Sequence, residues 1–436
     1  MAGSLPLALG KLGIETLVMM PRYRGFRAGK QKLRDHVSIC FVENEAYFNR
    51  ASLYGNEKGD YPDNLTRFSF FCHEALGLAK RIGFKPDIVH ANDWQTALLP
   101  VILKTKLSDD PFFKKVKTLL TIHNLAYQGH FPKDHYPELA LSPALFSVEG
   151  FEFFGKINLL KGGILFADAI STVSPTYAKE IQTRDYGFWL EGVVKKKARV
   201  LRGILNGIDE TLWNPKKDPW IASHYSENDL KGKAADKRDL QRACGLEVNP
   251  EIPIFGSVTR LAEQKGMDLL SEIADSFLSK KLQFILLGDG DGVYKTAFRN
   301  VAARHPENTA VYFDFDAARA HRIYAGADFF LMPSLYEPCG LGQLISLRYG
   351  AIPIVRKTGG LADTIVDVGQ DPKNGNGFVF TKPSGTKFMK TVERALSAYQ
   401  DKARFDALRR RAMKLDFSWN KSAEEYKRFY KEMISS

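Results

Sequence analysis

Short apolar runs alternate with helix-spaced apolar residues along most of the chain. This alternation predicts an α/β fold with parallel sheets. The runs that we predict as strands are 87–90, 116–122, 167–173, 254–258, 283–287, 311–313, 329–332 and 352–355. The last section, 416–433, has helical spacing with an aromatic stripe of Trp419, Tyr426 and Tyr430, which we interpret as core packing.

The chain length implies more than one domain. At 436 residues the chain exceeds the roughly 250–300 residues at which a single core stops growing. A proline-containing loop, 206–218, separates two halves that repeat the strand–helix pattern. We therefore predict Rossmann-like domains at 1–206 and 207–415, followed by a C-terminal helix at 416–436.

Composition is ordinary for a globular protein, with 44% apolar and 26% charged residues. No apolar stretch reaches the roughly 20 residues of a membrane span, and no signal peptide is visible. The four cysteines form neither a disulfide nor a metal pattern. We expect a cytoplasmic protein without a membrane partner, and a plastid location if a transit segment once preceded the chain.

The net charge of +12 favours anionic ligands. The basic runs 195–197 and 409–411 are short and read as solvated helix faces. No zinc spacing or RNA-binding signature accompanies them, so we expect no nucleic-acid partner. An anionic small molecule fits better.

Candidate chemistry concentrates in 333–363. Glu337 lies in a small-residue turn after a buried strand, and Gly340 and Leu341 stand at the start of the next helix. A second glycine turn, 357–361, follows the next strand. Backbone N–H groups at helix N-termini favour anions, so two such turns suit a sugar phosphate above an acid. The alternative is a pair of ordinary strand–helix turns.

Further polar residues follow other predicted strands. The residues placed at or just after strand ends are His90, Asp93, His123, Arg260, Gly288, Glu337 and Lys357. Ligands of doubly wound sheets bind at these ends. Arg260 and Lys265 could hold a diphosphate and stabilise its charge as it leaves, or be a surface pair.

His123, Asp93 and Trp94 have both functional and structural interpretations. His123 could contact sugar hydroxyls or be structural. Asp93 and Trp94 could serve an acceptor sugar, although core packing is the simpler interpretation of Trp94. Paired carboxylates at glycosidase spacing are not evident, which favours transfer from an activated sugar over hydrolysis. No Ser/His/Asp triad, phosphate-binding loop or dinucleotide fingerprint is present.

The ordered motifs closely resemble those of bacterial glycogen synthases and plant starch synthases. They are Y-P-D-N, H-A-N-D-W, T-I-H-N-L-A-Y-Q-G, L-N-G-I-D, V-T-R-L-A-E-Q-K-G, H-R-I-Y-A-G-A-D, Y-E-P-C-G-L and K-T-G-G-L. The resemblance implies a GT-B glycosyltransferase, with two Rossmann-like domains facing across a deep cleft. It also implies transfer of glucose from ADP-glucose to the non-reducing end of an α-1,4-glucan (glycogen or starch), with retention and with neither metal nor cofactor.

The resemblance assigns the first domain to the acceptor and the second to the nucleotide sugar. It implies a catalytic set of Glu337, Arg260, Lys265 and His123. The implied substrate-binding residues are Asp93, Asn124, Asn206, Phe315, Cys339, Gly340, Leu341, Thr358, Gly359, Gly360 and Leu361. Among these, Phe315 would lie against the adenine, and the final helix would cross back onto the first domain.

Two departures from the family pattern stand out. The family opens with a strand and a first K-x-G-G-L loop, whereas this chain starts at Met1 directly before G-S-L-P. We expect the missing strand to expose backbone groups and apolar surface in the first sheet. Gly342 replaces a frequent threonine. An active synthase, a weakly active or binding-only member, and a retaining transferase that uses UDP-glucose are the competing hypotheses. A glucan phosphorylase is a fourth, although it would need a lysine for pyridoxal phosphate and a far longer chain.

Overall fold

The computed structural model describes residues 1, 3–26, 29–56 and 59–435, and the chain divides into two units. Unit 1 comprises Met1–Leu205 and Trp419–Ser436, and unit 2 comprises Asn206–Ser418. Each unit contains a parallel sheet with helices on its faces, so the predicted α/β class is confirmed. None of the helices formed by the described residues is long and apolar enough to cross a membrane.

Unit 1 contains twelve strands among its described residues. They are β1 (Thr16–Pro21), β2 (Lys30–Arg34), β3 (Val37–Val42), β4 (Gly55–Asn56), β5 (Gly59–Asp60), β6 (Ile88–Asn92), β7 (Lys117–Ile122), β8 (His130–Pro132), β9 (Glu152–Phe153), β10 (Lys156–Asn158), β11 (Ala169–Thr172) and β12 (Leu201–Gly203). Its helices are α1 (Leu5–Lys11), α2 (Glu45–Phe48), α3 (Asn64–Arg81), α4 (Asp93–Thr96), α5 (Leu98–Lys104), α6 (Leu159–Phe166), α7 (Pro175–Glu180) and α8 (Glu191–Lys196). Three short 3₁₀ helices add 133–139, 143–145 and 198–200.

The main sheet of unit 1 is parallel, in the order β12-β11-β7-β6. A second sheet has the order β1-β3-β2, in which β1 and β3 run parallel and β2 runs antiparallel to β3. The pairs within β8-β10-β9 and β4-β5 are also antiparallel. These short antiparallel segments lie outside the strands that the sequence predicted, all of which pair in parallel.

Unit 2 contains one parallel sheet of six strands. The strands are β13 (Ile254–Val258), β14 (Gln283–Leu287), β15 (Thr309–Tyr312), β16 (Phe329–Met332), β17 (Ile352–Arg356) and β18 (Phe378–Phe380). The helices are α9 (Lys231–Ala243), α10 (Met267–Leu278), α11 (Gly292–Arg304), α12 (Ala317–Gly326), α13 (Gly342–Arg348), α14 (Gly359–Thr364), α15 (Gly385–Gln400) and α16 (Lys402–Met413), with a 3₁₀ turn at Glu263–Lys265. Separate apolar clusters include Phe255 and Phe329 in one, and Ile254 and Phe330 in the other.

The last helix, α17 (Trp419–Ser435), packs within unit 1. Its buried stripe recurs every three or four residues, through Trp419, Ala423, Tyr426, Phe429 and Met433. This stripe contacts Leu5 and Leu9 of α1 together with Leu119, Ala169 and Ile204. The interpretation of the aromatic stripe as core packing is confirmed.

Two expectations were wrong. The run 409–411 is not a solvated face. Arg409 forms an ion pair with the buried Asp328, and Arg410 Nη1 and Arg411 Nε each donate to a backbone carbonyl at 2.8 Å. His90 lies inside β6 and not at its end, where its ring nitrogens bond Thr121 and Tyr430. In both cases tertiary packing supplies polar partners that local sequence does not reveal.

Candidate functional site

The topology of unit 2 brings two separated sequence segments together. The strand order β15-β14-β13-β16-β17-β18 means that the chain moves outward from β13 to β15 and then restarts at β16. Between β13 and β16 the order reverses, and crevices at such switch points are where open α/β sheets bind ligands. Arg260 and Lys265 follow β13, and Glu337 follows β16.

Lys265 and Glu337 form a bidentate ion pair in which Glu337 is buried and Lys265 is half-buried. Lys265 Nζ donates to both carboxylate oxygens of Glu337, at 2.8 and 2.7 Å. Ser334 Oγ donates to Oε2 at 3.0 Å, and the Glu337 side chain is only 6% exposed. The Glu337 charge would be uncompensated if the carboxylate moved away from Lys265, and that is energetically costly in a buried site. The ion pair therefore holds both side chains in position. Arg260, which precedes Lys265 in the same loop, is exposed. Its Nη2 donates to Gln264 Oε1 at 2.9 Å.

Two glycines permit the backbones around this pair to touch. Gly266 has φ +68°, and a Cβ there would stand 2.1 Å from the Pro333 carbonyl oxygen. Gly359 has φ +42°, and its Cβ would stand 2.0 Å from the Glu337 carbonyl oxygen. Both positions require a left-handed backbone and no side chain. The loop after β13, the Glu337 turn and the start of α14 are therefore in direct contact.

Sequence reasoning missed two residues that hold the Glu337 turn. Arg356, at the end of β17, is buried and donates from Nε to the Ser334 carbonyl at 2.8 Å and from Nη2 to the Leu335 carbonyl. Gln343 donates from Nε2 to the carbonyls of Cys339 and Gly340, at 3.1 and 3.0 Å. An arginine ending a fully buried strand is the signal that could have identified the first.

The remaining predicted residues of the Glu337 segment lie around the same turns. Cys339 is 6% exposed, and burial raises the pKa of its thiol to about 12, so the thiol stays protonated. The Asn206 backbone hydrogen-bonds this sulfur, while the buried Asn206 Oδ1 has no hydrogen-bond partner among the described residues. Gly340 has φ +72° and Leu341, which is half exposed, precedes the first turn of α13.

The second glycine turn is almost fully enclosed. Thr358 is the N-cap of α14 and is buried, as are Gly359, Gly360 and Leu361. The Gly360 N–H donates to the Glu337 carbonyl at 3.0 Å, which ties this turn to the acid. Phe315, after β15, is 87% exposed. In unit 2 the structure therefore brings the Glu337–Cys339 segment together with Gly359, Gly360 and Lys265, while Lys357 is exposed and its N–H donates to the Phe380 carbonyl. Phe315 presents an exposed aromatic face.

In unit 1 the predicted residues form a second cluster at the ends of β6 and β7. Asp93 begins α4 with φ +53°, an uncommon conformation for a residue other than glycine. Its Oδ1 accepts from the His123 N–H at 2.7 Å, and the Asn124 backbone also bonds its carboxylate. His123 Nε2 donates to Asn92 Oδ1 at 3.0 Å, which leaves Nδ1 as an acceptor.

Trp94 belongs to the apolar packing beside that cluster. Asn124 Oδ1 accepts from the Ala126 N–H, and Tyr127 is 49% exposed. Trp94 is 9% exposed and packs edge-on against Phe68, with ring centroids 5.2 Å apart. The structural interpretation of Trp94 therefore holds.

Burial raises the pKa of the acid in this cluster and lowers the pKa of the histidines. It raises the pKa of Asp93 to about 7, against the opposing effect of the two backbone N–H donors. It lowers the pKa of His123 to about 4 and that of His90 to about 3. At neutral pH both histidines are uncharged, and Asp93 is divided between its two forms.

Asp93→Asn is expected to stabilise the chain more at pH 8 than at pH 5. The folded chain favours the protonated carboxyl of Asp93, because its pKa is raised to about 7. This favourable effect is complete below the unfolded pKa of about 3.9 and is lost as pH rises through about 7, where the buried carboxylate becomes charged. Asparagine keeps the acceptor for the His123 N–H and carries no charge. The measurement is the melting temperature of the unaltered chain and of Asp93→Asn at each pH from 5 to 8. The histidines titrate in both proteins, so their effect cancels in the difference. A difference in melting temperature that does not change with pH would contradict the prediction.

No three His, Cys, Asp or Glu side chains among the described residues are grouped so as to hold a metal ion. The expectation that the reaction needs neither a metal nor a cofactor stays a prediction from the resemblance.

Comparison with known proteins identifies the family. Residues 1–196 match the starch synthase catalytic domain, and residues 245–411 match glycosyl transferases group 1. The glycogen synthase of Syntrophotalea carbinolica is 44% identical, over 99% of this chain and 94% of that protein. The glycogen synthase of Thermotoga maritima is 43% identical, over 100% of this chain and 95% of that protein. The chain therefore belongs to the glycogen and starch synthase family of glycosyltransferases.

Solved structures with the same fold include two glycosyltransferases. The catalytic domain of starch synthase IV from Arabidopsis thaliana, bound to ADP and acarbose, superposes with a TM-score of 0.91 at 31% identity, covering 100% of this chain and 96% of that one. Sucrose-phosphate synthase from Thermosynechococcus elongatus gives a TM-score of 0.64 at 16% identity, over 99% and 92%, and shows the fold alone. The GT-B fold class is confirmed.

Proposed function

We propose that this chain extends an α-1,4-glucan by transferring glucose from ADP-glucose to its non-reducing end, with retention of configuration. The observation that carries the proposal is the Lys265–Glu337 pair at the switch point of the unit 2 sheet, enclosed by two glycine turns. Family membership and the ADP and acarbose held by the Arabidopsis enzyme support the choice of substrates.

Unit 2 supplies the donor-binding groups in this proposal. Lys265 and the exposed Arg260 hold the diphosphate and stabilise the negative charge that develops as ADP leaves. The backbone around Gly340 and Leu341 donates N–H groups to phosphate and to sugar oxygens, while the start of α14 supports this turn through the bond from the Gly360 N–H to the Glu337 carbonyl. Because the diphosphate is a good leaving group, the bond to the anomeric carbon breaks without a strong general acid.

Glu337 serves the glucose itself. With Lys265 as its counter-ion, the acid is held in one orientation by Ser334 and by the loop contact at Gly359. A fixed negative charge stabilises the positive charge that builds on the anomeric carbon in the transition state. The Asn206 Oδ1, buried without a partner among the described residues, is a candidate acceptor for a sugar hydroxyl.

Unit 1 supplies polar groups for sugar hydroxyls. Asp93 and Asn124 offer oxygens, and neutral His123 offers its Nδ1 or its backbone. His123 is uncharged at neutral pH, so its Nδ1 accepts a hydrogen bond from a sugar hydroxyl. In the proposal these residues contact sugar hydroxyls on the acceptor side.

The choice of donor is tested by supplying labelled ADP-glucose and UDP-glucose in parallel with a glycogen primer. We expect kcat/KM for ADP-glucose to exceed that for UDP-glucose by at least about tenfold, since base-specific contacts are worth roughly 1–3 kcal/mol. Equal or higher efficiency with UDP-glucose would support the alternative of a UDP-dependent transferase.

Phe315→Ala is expected to raise KM for ADP-glucose by roughly 5- to 100-fold and to change kcat much less. An exposed aromatic face stacks on a nucleotide base, and each such stack is worth about 1–3 kcal/mol. Phe315→Tyr keeps the face and is the matched control, with an expected KM near that of the wild type. Unchanged KM in Phe315→Ala would show that the adenine lies elsewhere.

A further inference from the structure

Two aromatic side chains on the surface of unit 1 are exposed and contact each other. Phe154 is 75% exposed and Trp189 is 71% exposed, and their ring centroids are 6.1 Å apart with the ring planes at 82°. Behind them, Phe153 contacts Phe154 edge-on at 4.8 Å and stacks on His130 at 5.3 Å. We call these four rings the aromatic platform. A contiguous exposed apolar surface is a mark of a binding site.

Both exposed rings stand on an unfavourable backbone. Phe154 (φ +49°) and Gly155 (φ +76°) form the two-residue turn between β9 and β10, in which asparagine or glycine is preferred at the first position. Trp189 has φ +68°, which is unusual for a bulky residue. Strained positions of this kind are concentrated at ligand-binding sites. Core packing does not explain either ring, because both are exposed.

The loop that carries Trp189 is held from two sides. Gln128 is 4% exposed, and its Nε2 donates to the Phe188 carbonyl at 2.9 Å. An ion pair between Lys196 and Glu149, at 2.9 Å, links α8 to the loop before β9. The aromatic platform is therefore a preorganised surface, and preorganisation reduces the entropic cost of binding a ligand.

Gln128 also connects the aromatic platform to the polar cluster that follows β7. The same Nε2 donates to the Leu125 carbonyl at 3.1 Å, two residues beyond His123. On its other side, Gln128 Oε1 lies 3.1 Å from His130 Nε2. The platform thus continues from the residues that contact sugar hydroxyls in the proposed function, but it shares no residue with them.

The charges beside the aromatic platform are balanced. The two segments that carry the exposed rings, 148–156 and 184–196, contain four acidic and four basic residues. A surface for nucleic acid needs an excess of cations to neutralise the phosphates. Exposed rings without such an excess favour an uncharged ligand.

We propose that the aromatic platform binds α-1,4-glucan at a point along the polymer away from the end that reacts. This inference rests on the proposed function for its ligand, since the acceptor of that reaction is such a polymer. The C–H groups on one face of a glucose unit stack on an aromatic ring, while the hydroxyl groups at its rim stay in water. Two rings inclined at 82° present faces to neighbouring units of a curved chain.

The platform keeps the polymer bound between successive additions of glucose, which raises the effective concentration of its ends at the site of transfer. In this proposal the platform contacts neither the donor nor the reacting carbon. Loss of the platform is therefore expected to raise KM for glycogen and to leave kcat and KM for ADP-glucose unchanged.

Trp189→Gly and Phe154→Asn remove the exposed rings and suit the backbone. Glycine is favoured at φ +68°, and Asn-Gly is a favoured pair for the turn at 154–155. Both variants should therefore be at least as stable as the unaltered chain in a melting curve. We expect each to raise the dissociation constant of maltoheptaose and the KM for glycogen by about tenfold, which corresponds to about 1.4 kcal/mol of lost stacking.

Two control variants separate stacking from other effects. Trp189→Phe keeps a ring, and its affinity for maltoheptaose should stay within about threefold of the unaltered chain. Val293→Ser removes a side chain that is 69% exposed in unit 2, and it should change neither affinity nor transfer. If Trp189→Gly fails to fold, Phe154→Asn decides the proposal.

Fluorescence locates the bound glucan, because Trp189 is the most exposed of the five tryptophans. We expect maltoheptaose to shift the emission saturably to shorter wavelength, and we expect no shift in Trp189→Gly. Absence of the shift in the unaltered chain, or unchanged affinity in both ring-removing variants, would overturn the proposal. A dimer that light scattering detects in the unaltered chain and not in Trp189→Gly would also overturn it, because a second copy would then cover the rings.

Failure of this inference and failure of the proposed function give different results. Normal transfer to glycogen with unchanged glucan affinity in both ring-removing variants would exclude the platform and retain the transferase. Binding of maltoheptaose that depends on Trp189, without transfer to any primer, would exclude the transferase and retain the platform.

Discussion

Glu337→Gln is expected to lower glucosyl transfer from ADP-glucose by roughly 10²- to 10³-fold. The substitution preserves shape but removes the charge that Lys265 and Ser334 hold in place. Loss of one preorganised electrostatic group typically costs about 2.7–4 kcal/mol in the transition state. Transfer is measured as labelled glucose in glycogen, and ADP binding by calorimetry. Because Glu337 acts on the sugar in this account, we expect the binding of ADP itself to change little.

The matched control for this variant is Glu307→Gln, which alters an exposed glutamate in the same unit. Its transfer rate should equal that of the unaltered chain. A melting curve for Glu337→Gln shows that the fold is kept. Transfer by Glu337→Gln within about threefold of the unaltered chain would exclude Glu337 from the chemistry.

Lys265→Met is expected to reduce kcat/KM for ADP-glucose by roughly 30- to 1000-fold. That range corresponds to the loss of about 2–4 kcal/mol of charge stabilisation on the departing diphosphate. The variant should also be less stable, because the Glu337 carboxylate stays buried without its cation. Steady-state kinetics and denaturant unfolding measure the two effects separately.

Comparison with a surface pair shows whether burial matters. Lys280 and Glu393 form an exposed ion pair at 3.4 Å, and such pairs contribute about 0–1 kcal/mol. Lys280→Met should therefore leave both stability and transfer almost unchanged. The double variant Lys265→Met/Glu337→Gln should regain part of the lost stability but none of the lost transfer. Recovery of transfer would mean that the pair is structural only.

The sequence predicts five of the six strands of unit 2, because buried parallel strands are continuous apolar runs, and misses the short edge strand Phe378–Phe380. The predicted and observed strands agree at 283–287 and 329–332. In unit 1, β1 and β3 were not predicted, although Thr16–Pro21 and Val37–Val42 are also apolar. Neighbouring segments at the N-terminus lack the clear strand–helix alternation on which the prediction depended.

The site was predicted as a set of residues and not as a geometry. Motif spacing placed Glu337 just after one strand and Lys265 at a loop–helix junction, but they are 72 residues apart and their pairing depends on the order of β13 and β16. No local pattern predicts that this acid forms an ion pair with that lysine. Gln343 was missed because its bonds to backbone carbonyls follow from no local pattern, whereas Arg356 was missed although it ends a buried apolar strand.

The most direct test of the proposed activity is to incubate the chain with ADP-glucose labelled in its sugar and a glycogen primer, and then to digest the product with β-amylase. This enzyme removes maltose from the non-reducing ends of α-1,4-glucans. The account predicts label in the polymer and its release as maltose. Label recovered as free glucose before digestion, or no label in the polymer while ADP-glucose binds, would contradict it.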